Sequence, residues 1–301
     1  MASALLSLPR PAFRVPVAVA GLAALGAGVA LAPAPWGAAA ALGAIALVLV
    51  IVRPEVGLYL LAFSVPFQSL READPTEVKV TITEGVVALA VAAFLARQLI
   101  VERGNWRAGA LIKPMLVLFG AMLLSVFKAE TVLQSIKELA KWLEFIAVYW
   151  MAVNLFRGQP HKLGFFLVAL AAGALAEAGI GAAQVVLRLG PEEFLIGGVI
   201  LRAYGTFGQP NPFAGYLNLT LPVLVGVALF AGSRWLKLAG WLSALAVATI
   251  MVTTLSRGAW LGFAVALLVI GIIASRRLAV AIWLGLLAFA VVILAAVFGV
   301  I

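Results

Sequence analysis

Cysteine is absent from this 301-residue chain, and histidine occurs once, at His161. Without cysteine the chain forms no disulfide bond and offers no thiolate for catalysis. A single histidine excludes a histidine cluster of the kind that binds zinc. The sequence also contains no nucleotide-binding or magnesium-binding motif, so it gives no reason to expect a cofactor.

Charged residues are scarce as well, at 11% of the chain, whereas soluble domains contain about 25%. Hydrophobic residues make up 65% of the chain, and the mean hydropathy is +1.16. This balance predicts a protein of the lipid bilayer. The formal net charge of +9 does not indicate nucleic-acid binding, because the basic residues are dispersed between apolar segments instead of clustering on one face.

Long apolar runs predict an all-α, polytopic membrane helix bundle that forms a single integral membrane domain over residues 1–301. A span requires about 20 mainly apolar residues, and by that measure the chain has about eleven candidates. They are residues 15–33, 36–52, 54–69, 84–101, 109–127, 142–157, 163–187, 212–231, 235–254, 258–275 and 278–300. Arg10 and Arg14 precede the first run as in a signal peptide, but no clear cleavage site follows, so we interpret it as a retained helix.

Residues 128–141 differ from the spans because apolar and charged side chains alternate there with helical periodicity. Leu133, Ile136 and Leu139 fall on one face, with Lys137 and Lys141 opposite. This pattern predicts an amphipathic helix at the membrane interface that leads into the sixth span. The two lysines face either lipid headgroups and solvent or an anionic substrate.

The distribution of basic residues predicts the orientation of the bundle, because cytoplasmic loops carry an excess of lysine and arginine. Placing the N-terminus in the cytoplasm assigns most of the 21 lysines and arginines to cytoplasmic loops. An odd number of spans then places the C-terminus on the outer side. Arg202 and Arg257 fall in outer loops, against the usual bias, and therefore require an explanation.

The predicted outer loop, residues 188–212, contains the most informative stretch of the chain, Arg202-Ala-Tyr-Gly-Thr-Phe-Gly-Gln-Pro-Asn-Pro-Phe-Ala-Gly-Tyr216. Its glycines permit positive φ angles, and Gln209 and Asn211 supply donors and acceptors. Non-helical backbone near a membrane is tolerated where it lines a wet cavity. The loop either presents Arg202 and backbone N–H groups to an anion or is an ordinary connection in which Arg202 reaches the lipid headgroups.

The second arginine lies in Thr254-Leu-Ser-Arg-Gly258, which interrupts an otherwise continuous apolar run. Arginine stays charged and grips phosphate through two parallel N–H bonds. Taken alone, Ser256-Arg257-Gly258 is typical of a tight turn. Paired with Arg202 on one side of the membrane, Arg257 is instead suited to binding a diphosphate.

Glu177 and Tyr204 are further candidates for substrate binding. Glu177 lies near the middle of the seventh span, where an ionisable residue is a functional hypothesis by default and a structural glutamate is the alternative. Gln184 follows two helical turns later on the same face and is a candidate to line a polar cavity. Tyr204 is placed to stack on a sugar or, alternatively, to anchor the loop at the interface.

The two arginine motifs, separated by two spans, resemble those of the O-antigen ligase and O-antigen polymerase superfamily of bacterial membrane glycan transferases. The specific resemblance covers about residues 200–265, so residues 200–301 correspond to the start of a ligase-like core. The amphipathic helix entering the sixth span is similar to the pattern of the family.

The resemblance implies a multi-pass enzyme of the bacterial cytoplasmic membrane that builds cell-envelope polysaccharide such as lipopolysaccharide. Such a glycosyltransferase moves a glycan, without a metal, from an undecaprenyl-diphosphate carrier to lipid A-core or another saccharide acceptor. Arg202 and Arg257 match the motif positions that bind the donor diphosphate, and membrane lipids are the remaining partners. Family ligases carry a functional histidine in a later outer loop, whereas His161 is assigned to the cytoplasmic side. The chain is therefore expected to be truncated at its C-terminus.

Two alternatives to the transferase follow from the same features. A transporter or flippase of an anionic lipid-linked substrate would also bind a diphosphate, but transporters often contain inverted repeats and helices broken at the midplane. No internal repeat is visible here, and the glycine and proline residues fall in a loop. The other alternative is a non-catalytic fragment that only binds the carrier lipid.

Overall fold

A computed structural model describes residues 34–67, 82–100 and 106–297, which are mostly helical. Within these ranges, six helices are long and apolar enough to cross a membrane, so the chain is a multi-pass membrane protein. The helices are α1 Ala34–Val52, α2 Glu55–Ser64, α3 Ile82–Ile100, α4 Ile112–Ser125, α5 Val132–Phe156, α6 Pro160–Leu187, α7 Pro210–Phe230, α8 Arg234–Thr253, α9 Arg257–Ala274 and α10 Arg276–Val297.

Several predicted spans differ from the helices that form. The first, 15–33, lies outside the described residues, and so do both chain termini. The helices within the third and fifth predicted spans are short, with 10 residues in α2 and 14 in α4. The total of eleven spans and the orientation of the termini remain predictions.

The predicted interfacial helix 128–141 is not a separate element. Val126–Lys128 form a 3-10 turn, and α5 then runs without interruption from Val132 to Phe156. No glycine or proline lies within α5, so nothing in the sequence ends a helix between its amphipathic first turns and its apolar remainder. The amphipathic residues from 132 to 141 are thus the exposed start of a 25-residue helix.

The chain divides into two compact units, of which the first comprises residues 1–57 and 87–154. Aromatic side chains of α5 organise its described part. The Trp150 ring stacks on Trp106 at a centroid distance of 4.8 Å and meets Phe94 edge-on at 5.3 Å. Asn154 and Tyr149 bind the main chain of the segment before α4, since Arg107 N donates to Asn154 Oδ1 and Leu111 N to Tyr149 Oη.

The second unit comprises residues 58–86 and 155–301, and its core lies where α7 packs against α6, α8 and α9. Small residues allow these helices to approach closely, as is typical of membrane helix bundles. A Cβ on Gly181 of α6 would lie 2.8 Å from Ile250 of α8 and 3.1 Å from the Phe213 ring of α7. The core side chains of α7 and α8 are Phe213, Ala214, Leu217, Leu221, Leu224, Val225, Ala244, Val247, Ile250 and Met251.

The connection between α6 and α7 contains a 3-10 turn, a short hairpin and a loop. Arg188 ends α6 in the left-handed conformation, with φ 53°, and a 3-10 turn follows at Glu192–Phe194. A two-stranded antiparallel hairpin, β1 Leu195–Ile196 and β2 Ile200–Leu201, reverses the chain through Gly197 and Gly198, both at positive φ. We call the following segment, residues 202–209, the arginine loop. It ends where Pro210 starts α7, the helical position that proline suits best.

Candidate functional site

Arg202 connects the arginine loop to the end of α8. Its Nε donates to the main-chain oxygen of Thr254 at 2.8 Å, and its Nη2 donates to Asn211 Oδ1 at 3.1 Å. The neighbouring amide of Ala203 donates to the Thr253 oxygen at 3.3 Å. The two arginine-containing segments, about 50 residues apart in sequence, are thus in direct contact.

The contacts of Arg202 leave part of its guanidinium group free for a ligand. The group has five N–H donors, and its hydrogen bonds to described residues engage only Nε and Nη2. Both acceptors are uncharged oxygens, and no carboxylate of the described residues forms an ion pair with Arg202. The positive charge is therefore oriented by the protein but not neutralised by it.

Arg257 is exposed at the first residue of α9. The turn before it contains Leu255 in the left-handed conformation, with φ 52°, which is uncommon for a branched side chain. This turn begins at Thr254, whose oxygen holds Arg202. The structure thus brings the Arg257 turn against the arginine loop.

The start of α9 adds positive electrostatic potential beside Arg257. The first N–H groups of a helix have no partner inside it, and they attract anions together with the helix dipole. Ser256, the residue that caps α9, does not accept a hydrogen bond from these amides through its side chain. At the start of α7, by contrast, Pro210 and Pro212 remove two of the donors. Of these two helix starts, that of α9 therefore keeps more free amide donors.

Gln184 fixes the middle of the arginine loop from α6. Its Nε2 donates to the Gly205 oxygen at 2.8 Å, and its Oε1 accepts from Gly205 N at 2.8 Å and from Tyr204 N at 3.2 Å. One side chain therefore satisfies three main-chain groups, as a neighbouring strand would. A Cβ on Gly205, which has φ 55°, would lie 2.7 Å from the Phe213 ring and would overlap Glu177, so only glycine fits here.

Glu177 lies two turns before Gln184 and holds the next residue of the loop. Its side chain is completely buried. Its Oε2 accepts from Thr206 N at 3.1 Å, and its Oε1 lies 2.6 Å from Thr206 Oγ1. The same hydroxyl donates to the main-chain oxygen of Pro66 at 2.7 Å. Glu177 thus contacts the loop from α6, and no part of the Glu177 side chain is exposed to a ligand.

The remaining predicted residues occupy different parts of the loop. Gln209 is exposed, and Asn211 is exposed while it binds Arg202. Tyr204 donates from its hydroxyl to the Leu189 oxygen at 3.1 Å, and its ring lies 5.3 Å from that of Phe194. Tyr204 therefore braces the loop against the end of α6, with its side chain already engaged.

Sequence reasoning missed Thr206 and the main-chain oxygen of Thr254. Neither has a local signal, because each works through a partner distant in the chain. Gln184 was found through its spacing from Glu177, although as the lining of a cavity and not as a support for the loop. Among the described residues, no cluster of histidine, aspartate and glutamate is placed to hold a metal ion.

Comparison with known proteins gives no match to a protein-family model, to a curated protein or to a solved structure.

Proposed function

We propose that the chain belongs to a membrane glycosyltransferase that moves a glycan from an undecaprenyl-diphosphate carrier to lipid A-core or another saccharide acceptor. The reaction is placed at the outer face of the bacterial cytoplasmic membrane, in the assembly of cell-surface polysaccharide. The observation that carries the proposal is the contact of Arg202 with the turn that leads to Arg257. The resemblance of both segments to the O-antigen ligase and polymerase superfamily supplies the substrate class.

The proposed chemistry is electrostatic. When the glycosidic bond to the carrier breaks, the diphosphate leaves with negative charge, which fixed positive groups stabilise. Arg202 is held by two uncharged acceptors and keeps its Nη1 group for a phosphate oxygen. Arg257 and the first amides of α9 bind the same anion from the other segment. In this scheme Asn211 orients Arg202, and Gln209 faces the substrate.

One observation favours transfer over transport of such a lipid. Transporters often bind substrate at helices interrupted in mid-membrane. Pro222 lies inside α7, but the helix continues through it from Pro210 to Phe230. The irregular backbone lies instead in the connection between α6 and α7, outside both helices.

The proposal is tested by measuring binding of undecaprenyl diphosphate to the 301-residue protein in lipid nanodiscs. Each charge-assisted hydrogen bond contributes about 1.5–3 kcal/mol, so Arg202→Ala and Arg257→Ala should each weaken binding about 10- to 100-fold. Arg202→Lys keeps the charge but loses the forked geometry, and should recover only part of the affinity. The matched control is Arg234→Ala, an exposed arginine at the first residue of α8, the opposite end of that helix from Thr253.

Transfer is then measured with a carrier-linked glycan and a saccharide acceptor in the same nanodiscs. Loss of transfer in both arginine variants, with the Arg234→Ala protein fully active, would support the assignment. Unchanged binding and transfer in the Arg202→Ala and Arg257→Ala proteins would refute the diphosphate site. Uptake of the lipid across a vesicle membrane without any transfer would favour the transporter.

A further inference from the structure

The buried Glu177 Oε1, Thr206 Oγ1 and the Pro66 main-chain oxygen form a row of three neighbouring oxygen atoms. If Glu177 is ionised, this row has too few hydrogens to form both of the hydrogen bonds between them. Thr206 Oγ1 lies 2.6 Å from Glu177 Oε1 and 2.7 Å from the Pro66 main-chain oxygen. Both distances are those of O–H···O hydrogen bonds. A threonine hydroxyl carries one hydrogen and therefore donates only one of the two bonds.

The Pro66 oxygen decides which atom donates the hydrogen in each of these two bonds. The Pro66 main-chain oxygen carries no hydrogen, so it accepts the bond from Thr206 Oγ1. The second contact of the hydroxyl, with Glu177 Oε1, is then a hydrogen bond only if Oε1 supplies the hydrogen. The other carboxyl oxygen, Oε2, accepts from Thr206 N at 3.1 Å and is satisfied without one.

The surroundings of Glu177 agree with a neutral group. The side chain is 0% exposed, in a helix long and apolar enough to span the membrane. Within the described part of the chain, no lysine or arginine forms an ion pair with it. An unpaired carboxylate is costly to bury, whereas a carboxylic acid that both donates and accepts here fits without a counter-charge.

We infer that Glu177 is a protonated carboxylic acid that positions the arginine loop, donating from Oε1 to Thr206 and accepting the Thr206 amide at Oε2. Its role is to hold residue 206 so that Arg202, four residues earlier, faces the anion. It neither binds the substrate nor transfers a proton. The positioning role rests on the proposed function, but the protonation of Glu177 does not.

Glutamine is the matched replacement for a protonated glutamate. In Glu177→Gln the amide NH₂ takes the place of the Oε1 hydroxyl and donates to Thr206 Oγ1, and the amide oxygen accepts the Thr206 amide. In Glu177→Ala both bonds are lost, and the Thr206 amide is left buried without a partner. Thr206→Ser keeps the hydroxyl, whereas Thr206→Val removes it and breaks the chain of bonds at its middle.

The protonation is tested by infrared difference spectroscopy of the protein in nanodiscs at neutral pH. Wild type minus Glu177→Gln should contain the carbonyl band of a protonated carboxylic acid, which shifts in D₂O. The band should persist in Thr206→Ser and move in Thr206→Val, because the hydroxyl accepts the carboxyl hydrogen. If the difference spectrum contains only carboxylate bands, the inference is overturned.

The positioning role is tested by binding of undecaprenyl diphosphate. Glu177→Gln should bind like wild type, whereas Glu177→Ala should bind more than about tenfold more weakly, equivalent to about 1.4 kcal/mol. An equal loss of affinity in both variants would overturn the inference, because it would show that binding requires the ionised carboxylate of Glu177 or a proton transfer by it. If wild type carries the acid band but binds no undecaprenyl diphosphate, the proposed function fails and the protonated state stands.

Discussion

Replacing Gln184 by methionine tests whether the arginine loop depends on its support from α6. Methionine has a similar length and fits a buried site, but it provides no amide. The substitution removes the bond from Nε2 to the Gly205 oxygen and the two bonds that Oε1 accepts from Gly205 N and Tyr204 N. Three main-chain groups of the loop then lack their partner.

The size of the effect follows from the burial of these groups. An unsatisfied buried polar group costs about 1–3 kcal/mol. Gly205 is buried and Tyr204 half-buried, so the loss of two Gly205 bonds and one weaker Tyr204 bond amounts to at least about 3 kcal/mol by the same measure. The loop opens more easily by this free energy, and its amides should exchange at least about 100-fold faster.

The assay is hydrogen exchange, followed by mass spectrometry, of peptides that cover residues 202–209 in nanodisc-embedded protein. Gln209→Met is the matched control, because it makes the same change in the same loop at an exposed side chain that does not cap α7. Exchange in α8 should remain slow in both proteins. If Gln184→Met and Gln209→Met exchange equally slowly across the loop, the support from α6 is refuted.

Two pairs of glycines give further predictions with internal controls. Gly205 and Gly208 both have positive φ, at 55° and 69°, so alanine costs about 1–2 kcal/mol at either. Only at Gly205 would the added methyl group also clash with Glu177 and Phe213. Gly205→Ala should therefore accelerate hydrogen exchange of the loop far more than Gly208→Ala. Equal acceleration by both substitutions would contradict the packing around Gly205. Gly240→Ala should destabilise the helices in a detergent unfolding assay, because its Cβ would lie 2.7 Å from a main-chain nitrogen of α7. Gly226→Ala, in open space, should stabilise α7 by up to about 1 kcal/mol, and destabilisation by both would contradict this contact.

The helices around the site were predictable because apolar length is a strong signal in a membrane protein. The predicted spans 163–187, 212–231, 235–254 and 258–275 lie within a few residues of α6 to α9. Their ends are marked by residues that stop or start helices, such as Pro160 and Pro210. The amphipathic stretch before the sixth span was harder to delimit, since the change from polar to apolar residues occurs inside one continuous helix.

The internal structure of the site was only partly predictable. Glycine, proline and arginine in one loop mark it as special, and the charge count predicts that both arginines lie on one side. The acceptor of Arg202 is nevertheless a main-chain oxygen, which every residue possesses, so no side chain identifies Thr254 in advance. Gln184 likewise binds the backbone of Gly205, 21 residues away, and such a bond leaves no trace in composition or periodicity.

The charge of the groups that contact Arg202 and the arginine loop determines how strongly the site attracts an anion. An arginine held by a carboxylate has most of its charge compensated, whereas Arg202 is held by a main-chain oxygen and an amide oxygen. Its full charge therefore remains for an anionic ligand, and in a medium of low dielectric that charge acts more strongly than in water. A carboxylate at Glu177, behind the same loop, would weaken the attraction. The neutral acid inferred there bonds both the hydroxyl and the amide of Thr206 without adding a negative charge, which gives a physical reason for a protonated glutamate at this position.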